Sequence, residues 1–342
     1  MGNTAKTPAS ILALCLVGAL TLAGCSRASD TTEADISDDT FSDSRRVSDE
    51  FPVTIPTKFG DVTIEEQPQR VVTLGWGDTD TALALGVQPV GNMDWLSLGG
   101  NGVGSWAQDQ YTQTPEVLDR EDMDYEKIAA LEPDVIINVK TSGDEDQYDK
   151  LSSIAPTVGI PEGGEGSRTP MNQQVEMIAA ALGKQDKGAD LIDQVESRYR
   201  ELREKYPQWK GKTLSSLYHS EANWSVYLPG DARADVPAAL GFELDPRVAE
   251  IAEDVERFTV DISTEQLDRA DSDVVIGIPV GEDKSSLESD NAWKNLTAVR
   301  EGRAFALDEE QTDAFSMGSV SSILYALDEL EPLLAEATSP AN

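Results

Sequence analysis

Histidine is nearly missing from this 342-residue chain, which has only His219, and cysteine is almost as scarce, with Cys15 and Cys25. One histidine cannot build a multi-histidine metal site, so direct binding of free zinc or manganese is disfavoured. A Ser-His-Asp assembly would depend entirely on that residue, and no Gly-x-Ser-x-Gly elbow, phosphate loop, His-Glu-x-x-His or dinucleotide fingerprint occurs. Catalysis is therefore not expected. Basic residues are also few: 27 Lys and Arg stand against 63 Asp and Glu, a net charge of -36. A field of that sign repels nucleic acid and favours solubility, so no polynucleotide partner is expected. An anionic ligand would have to be met by local basic residues working against the global field.

A long apolar run is lacking too. The stretch from Ile11 to Leu22, preceded by Lys6, is too short to span a bilayer and reads as a signal peptide. It closes on Leu22-Ala23-Gly24-Cys25, which matches the lipobox of bacterial lipoproteins, in which the cysteine is acylated and becomes the new N-terminus. Cys15 then lies in the discarded segment, and no disulfide can form within the mature chain. From Ser26 to about Glu50 the residues are mainly small, polar and charged, a composition that cannot offset the entropy of ordering. The expected organisation is a lipoprotein signal peptide at 1–24, a disordered tether at 25–50, an N-terminal α/β lobe at 51–172, a helical connector at 173–206 and a C-terminal α/β lobe at 207–342. Length alone favours two lobes for the part after the tether.

The periodicity supports this division. Val53 to Ile55 and Asp61 to Ile64 read as a hairpin turning near Phe59-Gly60. Arg70 to Leu74 reads as a buried strand, followed by a helix over Thr79 to Leu85 that Gly86 ends with a left-handed C-cap, then a strand over Val87 to Val90. The strands Val135 to Val139 and Thr157 to Ile160 flank a short helix. Apolar residues at helical spacing mark Met171 to Leu182 and then Lys187 to Tyr206, about 30 Å at 1.5 Å per residue, a strut that Pro207 stops. A second α/β series follows, with strands at Thr213 to Tyr218, Ser225 to Leu228, Val274 to Ile278 and Ala304 to Leu307 and a last helix from about Val320 to Ala337. The block Asp124 to Ile137 recurs loosely as Ser263 to Ile276. Each copy places a glutamate, Glu126 or Glu265, eight residues before an aspartate, with a short helix pattern between and a strand after. Two lobes built on one plan usually hold something between them.

Several short motifs, in this order, carry a resemblance: Gln67-Pro68-Gln69-Arg70-Val71-Val72, Ala84-Leu85-Gly86-Val87, the block Glu126 to Ile137, Ile154-Ala155-Pro156-Thr157-Val158, Ala181-Leu182-Gly183-Lys184, and Trp293 through Arg303. With them the chain resembles the iron-siderophore and vitamin B12 group of substrate-binding proteins of ABC importers, from Phe51 to the C-terminus. The resemblance implies two Rossmann-like α/β lobes joined by a single long helix, a ferric siderophore in the cleft, and no intrinsic cofactor. It also implies a monomer, lipid-anchored through Cys25 on the extracytoplasmic face of the cell membrane. Glu126 and Glu265 match the family's glutamates that dock onto arginines of the permease dimer. Binding loops follow strand ends in such folds, which nominates Trp76, Asp78, Trp95, Trp106, Arg168, Tyr218, Trp224, Arg233 and Phe315 as ligand-binding residues, with Arg168 the preferred basic anchor. Aromatic planes would pack the organic shell of a chelate and an arginine would bond its oxygens. Some relatives complete the iron shell with a His and a Tyr; no clear His stands near Phe258, and Phe315 occupies the tyrosine's region. That departure implies a ligand whose own donors saturate the iron. Two alternatives stay open: a haem receptor using His219 with Tyr218 or Tyr227, and a structural or adhesive lipoprotein.

Overall fold

The apolar runs become strands buried on both faces. The computed structural model describes residues 50–220, 223–253, 255 and 257–339, so the signal peptide, Cys25 and the tether up to residue 49 lie outside the described residues. A hairpin comes first: β1 (Val53–Thr57) pairs antiparallel with β2 (Gly60–Ile64), with Ile55 opposite Val62 and with Ile55, Thr57, Val62 and Ile64 buried on one face. The strands β3 (Val71–Thr73), β4 (Gly91–Met93), β5 (Glu116–Leu118), β6 (Val135–Ile137) and β7 (Thr157–Val158) form a wholly parallel sheet in the order β5-β4-β3-β6-β7. Strand order reverses beside β3, and in open α/β sheets the crevice at such a point is the usual ligand site.

The second sheet is mixed. It runs β11 (Thr259–Ile262), β9 (Asn223–Tyr227), β8 (Thr213–Ser220), β12 (Val274–Pro279), β13 (Ala304–Ala306), with β10 (Glu243–Leu244) also against β8. The pairs β8–β12 and β12–β13 are parallel; β9 is antiparallel to both its neighbours.

Successive residues of the central strands feed different cores. Val72 and Ile136 pack outward with Leu74, Ile128 and Leu151, whereas Val71, Val135 and Ile137 face inward. In the second sheet Val275 joins an outer cluster with Trp224 and Trp293, and Val274 and Ile276 face inward. The inward residues belong to one continuous core that takes in the helices Met171–Leu182, Gln185–Lys205 and Val320–Ala337. The 21-residue helix Gln185–Lys205 buries Leu191, Val195, Tyr199 and Leu202 and packs on both the preceding helix and the C-terminal one. None of the helices among the described residues is long and apolar enough to cross a membrane.

Close approach of the connector helices depends on Gly188. A Cβ there would stand 2.7 Å from Ala179 Cβ and 3.5 Å from Val175 Cγ1. Overpacking of this kind costs about 1–3 kcal/mol, more than the helix propensity of about 1 kcal/mol gained by replacing glycine. Gly188→Ala is therefore expected to lower the denaturation midpoint; a raised midpoint would show that the helices can move apart.

The repeated block folds alike in the features that fix its strand. Asp134 accepts bonds from the backbone N–H of Gln69 (2.7 Å) and Arg70 (3.0 Å), and Asp273, its counterpart, accepts from Thr213 N (2.9 Å). Each aspartate thus ties its strand to the start of the neighbouring central strand. The intervening segments differ. Tyr125–Ala130 is α-helical, capped by Asp124 accepting from Lys127 N, whereas Thr264–Ala270 is a 3-10 helix without such a cap. Its buried residues, Leu267 and Ala270, are three apart, which suits three residues per turn.

The expected strand at Val87 to Val90 lies instead at Gly91–Met93. Pro89 has no N–H to give a ladder, so pairing starts after it.

Candidate ligand-binding site

Loops leaving the strand ends of both sheets enclose a cleft of about 890 Å³. Its first wall follows β3 and β4. A Cβ at Gly75 would collide with the Asp78 carboxylate and stand 2.9 Å from Lys140 N, so only glycine lets the chain turn there and present Trp76. The Trp76 indole donates to Met317 O at 2.8 Å, a bond to the opposite sheet's unit. Trp95 donates to Leu74 O (2.9 Å), and its ring centroid lies 5.8 Å from that of Trp76 at 54°. Arg120, after β5, donates to Trp95 O at 2.8 Å and also lines the cleft.

The second wall comes from β9, β12 and β13. The Arg233 guanidinium lies 3.9 Å from the Tyr227 ring centroid, makes two 2.7 Å bonds to Asp231 and donates to Ser316 Oγ at 3.0 Å. Burial works against its charge, but the Asp231 bonds outweigh this and hold its pKa above the ordinary value. Lys284 and Glu282 follow β12, and Asp308, Glu309, Thr312 and Asp313 follow β13. Burial, then the charges of Glu309 and Asp94, push the Asp313 carboxyl up to about 6.

Of the nine residues nominated from sequence, Trp76, Trp95 and Arg233 line this cleft. Trp106 lines an adjoining hollow and donates to Asp80 at 2.9 Å. The others lie elsewhere. Asp78 is fully buried and accepts from Gly75 N (3.0 Å), Val139 N (2.9 Å) and Gln174 Nε2 (2.6 Å), so its carboxylate organises backbone. Phe315 is 1% exposed, in the inner core, because the helix Glu309–Met317 turns that face from the cleft. Trp224 is buried in the second sheet's outer core, and Tyr218 packs edge-on against Tyr227 without lining the cleft. Arg168 stands beside the Gly230 turn, away from the cleft lining. His219 is 7% exposed, held at Nδ1 by Glu282 and packed 4.1 Å from the Trp224 ring, so it is not placed as a haem ligand.

Sequence reading missed Arg120, Glu282, Lys284 and the acidic wall at 308–313. One signal was present for the last. Asp308-Glu309-Glu310-Gln311 is a capping box: Asp308 accepts from Gln311 N (2.9 Å) and Gln311 returns a bond to Asp308 N (3.1 Å).

An α/β body built on two sheets with a cleft at the strand ends suits a solute receptor. The family model described as periplasmic binding protein matches residues 71–311, which takes in both sheets. The chain belongs to the periplasmic binding protein family. Family members are solute-binding proteins rather than enzymes. The chain is 26% identical over 340 residues to the Bacillus subtilis protein named "Probable siderophore-binding lipoprotein YfiY", covering 95% of this chain and 98% of the relative. A periplasmic solute binding protein from Mycobacterium smegmatis is similar in structure, with a TM-score of 0.74 and 30% identity, covering 84% of this chain and 99% of that one. PiaA from Streptococcus pneumoniae, solved in complex with ferrichrome, gives a TM-score of 0.70 and 26% identity, covering 85% and 100%.

Two buried carboxyls below this periplasmic-binding-protein cleft set a pH dependence. Burial pushes Asp80 up to about 7, opposed mainly by its bond from Trp106, and burial pushes Asp78 up to about 6 against its bond from Gln174. A raised carboxyl pKa means that the native state binds more protons than the unfolded one. Their contribution is then complete below about pH 4 and is lost as pH rises towards 7. Asp80→Asn should remove the charge penalty. At about 1.4 kcal/mol per pKa unit, less the cost of a new buried amide N–H, we expect a gain of about 2–3 kcal/mol at pH 8 that turns into a loss of about 1–3 kcal/mol near pH 4, where only the amide cost remains. Urea denaturation at both pH values measures it; a loss at pH 8 would show that Asp80 is needed as an anion.

Proposed function

We propose that this chain is a lipid-anchored extracytoplasmic receptor that holds a ferric siderophore in the cleft and passes it to an ABC importer. The observation that carries this is the cleft itself: two tryptophans on one wall face the Arg233–Tyr227 stack on the other across a space of chelate size. The name of the Bacillus relative and the ferrichrome in the pneumococcal structure support an iron chelate as cargo. The lipobox at Cys25 supports the anchor, and Glu126 and Glu265 are the contacts to a permease dimer. Both are exposed, lie in the first turn of their helices and have no ion pair among the described residues. We read the protein as non-catalytic and monomeric, with no cofactor of its own.

A fluorescence titration tests the cargo. Ferric chelates should quench emission, with Trp76→Phe removing much of the response, while iron-free chelator and cobalamin should not. Quenching by haem alone would overturn the siderophore assignment.

A further inference from the structure

The cleft is not electrically uniform. Next to its main space lies a hollow of about 430 Å³ that shares Asp308, Glu309 and Asp313 with it, adds Glu310, and has no lysine or arginine in its lining. Glu310 is occupied by Ser105. Glu309 and Asp313 make no ion pair and no side-chain hydrogen bond among the described residues, and Asp308 accepts only the capping bond. Asp94, from the loop after β4, places another carboxylate near Asp313 from the opposite wall. Asp94 lies outside the lining of the hollow and accepts from Leu98 N and Gly99 N, so the carboxylates that line the hollow come from one segment, Asp308 to Asp313, and no lysine or arginine lines it with them.

A second observation is independent of the acids. Thr312 lines the cleft at 7% exposure, and its hydroxyl has no hydrogen-bond partner among the described residues. An interior hydroxyl without a partner is a cost that a ligand donor could remove.

The basic groups are elsewhere. Arg233 is held by Asp231, Ser316 and the Tyr227 ring, whereas Arg120 and Lys284 bring further positive charge to the main cleft for a chelate's oxygens. A bare metal ion does not suit the acidic end, because no group of three or more His, Cys, Asp or Glu among the described residues is placed to hold one. Carboxylates are acceptor-only and an ammonium is donor-only, so an organic cation matches the hollow in both charge and hydrogen bonding.

We propose that the cleft selects its ferric chelate by charge, seating an ammonium-bearing arm against Asp308, Glu309 and Asp313 and rejecting polyanionic chelates. This rests on reading the cleft as a siderophore site. Three hydroxamates neutralise ferric iron, so a linear ferric trihydroxamate with a terminal amine is a cation. Acetylating the amine makes it neutral with the same iron shell. A ferric tris-catecholate is a polyanion.

The full chain is titrated with these three chelates by tryptophan quenching, at low and high salt. The amine form should bind about tenfold tighter than its acetylated twin at low salt, with the tris-catecholate weakest, since charge complementarity of this kind is screened by ions. The ratio between the first two should shrink at high salt and in Glu309→Gln combined with Asp313→Asn. Equal binding of the amine and acetyl forms, or tightest binding of the tris-catecholate, overturns charge selection while the receptor assignment stands. Binding of none of the three overturns both. The comparison on the unaltered protein holds even if the double variant fails to fold.

Discussion

Cells carrying Glu126→Ala together with Glu265→Ala are expected to keep a receptor of normal chelate affinity and to lose uptake. Neither glutamate lines the cleft, so capture is not touched. Both are exposed on segments pinned to their sheets in the same way, through Asp134 and Asp273, so each unit carries its carboxylate at an equivalent place. Two fixed charges can register two basic sockets on a permease dimer. Truncating one partner of a charged interface pair costs about 2–5 kcal/mol, so each single substitution should reduce uptake at least about tenfold and the pair should bring it near background. The competing explanation is a helix-dipole role, which is worth only about 0.3–1 kcal/mol of stability. Radiolabelled iron uptake measured beside the purified receptor's affinity and melting temperature separates them. Unchanged uptake would sink the docking role.

The second large effect is expected at Asp78, on stability rather than affinity. Asp78→Ala removes the acceptor for two backbone N–H groups and the Gln174 amide, all in the interior. Each orphaned donor costs about 1–3 kcal/mol, and relief of the carboxylate's own burial returns part of that. The net expectation is a loss of about 3 kcal/mol, or a melting temperature lower by roughly 5–12 °C for a protein of this size. Gln174 also donates to Trp76 O at 2.8 Å, so the loss should loosen the tryptophan wall as well. Calorimetry with a chelate titration decides. Unchanged stability with lost affinity would make Asp78 a ligand contact after all.

Much of the fold was legible because it follows from short-range physics. Burial on both faces makes Val71-Val72 and Val135-Ile136-Ile137 continuous apolar runs, and the helices at 171–182 and 320–337 begin and end where their periodicity does. β5, β10 and β11 were not legible, because each places an acidic residue, Glu116, Glu243 or Asp261, among its two to four residues and shows no continuous apolar run. Loops after strands were nominated for the site: Trp76 and Trp95 from such loops line the cleft, whereas Phe315 is turned into the inner core by its helix and Trp224, within β9, faces the outer core, orientations that no local pattern records.

By itself the sequence determined the class of the protein: two α/β series, a repeated block with its spaced glutamate and aspartate, a lipobox, and too little histidine for a multi-histidine metal site. Those are properties of composition and spacing. Only the tertiary structure decided which side chains meet in the cleft. Arg233 and Asp231 are neighbours in sequence, but that Arg233 is also spent on Ser316 and Tyr227 depends on how separate segments pack. The charge of Asp94 likewise acts on Asp313, 219 positions later in a 342-residue chain, because two different sheets bring them near each other. Charge acts through distance in space, and folding sets that distance.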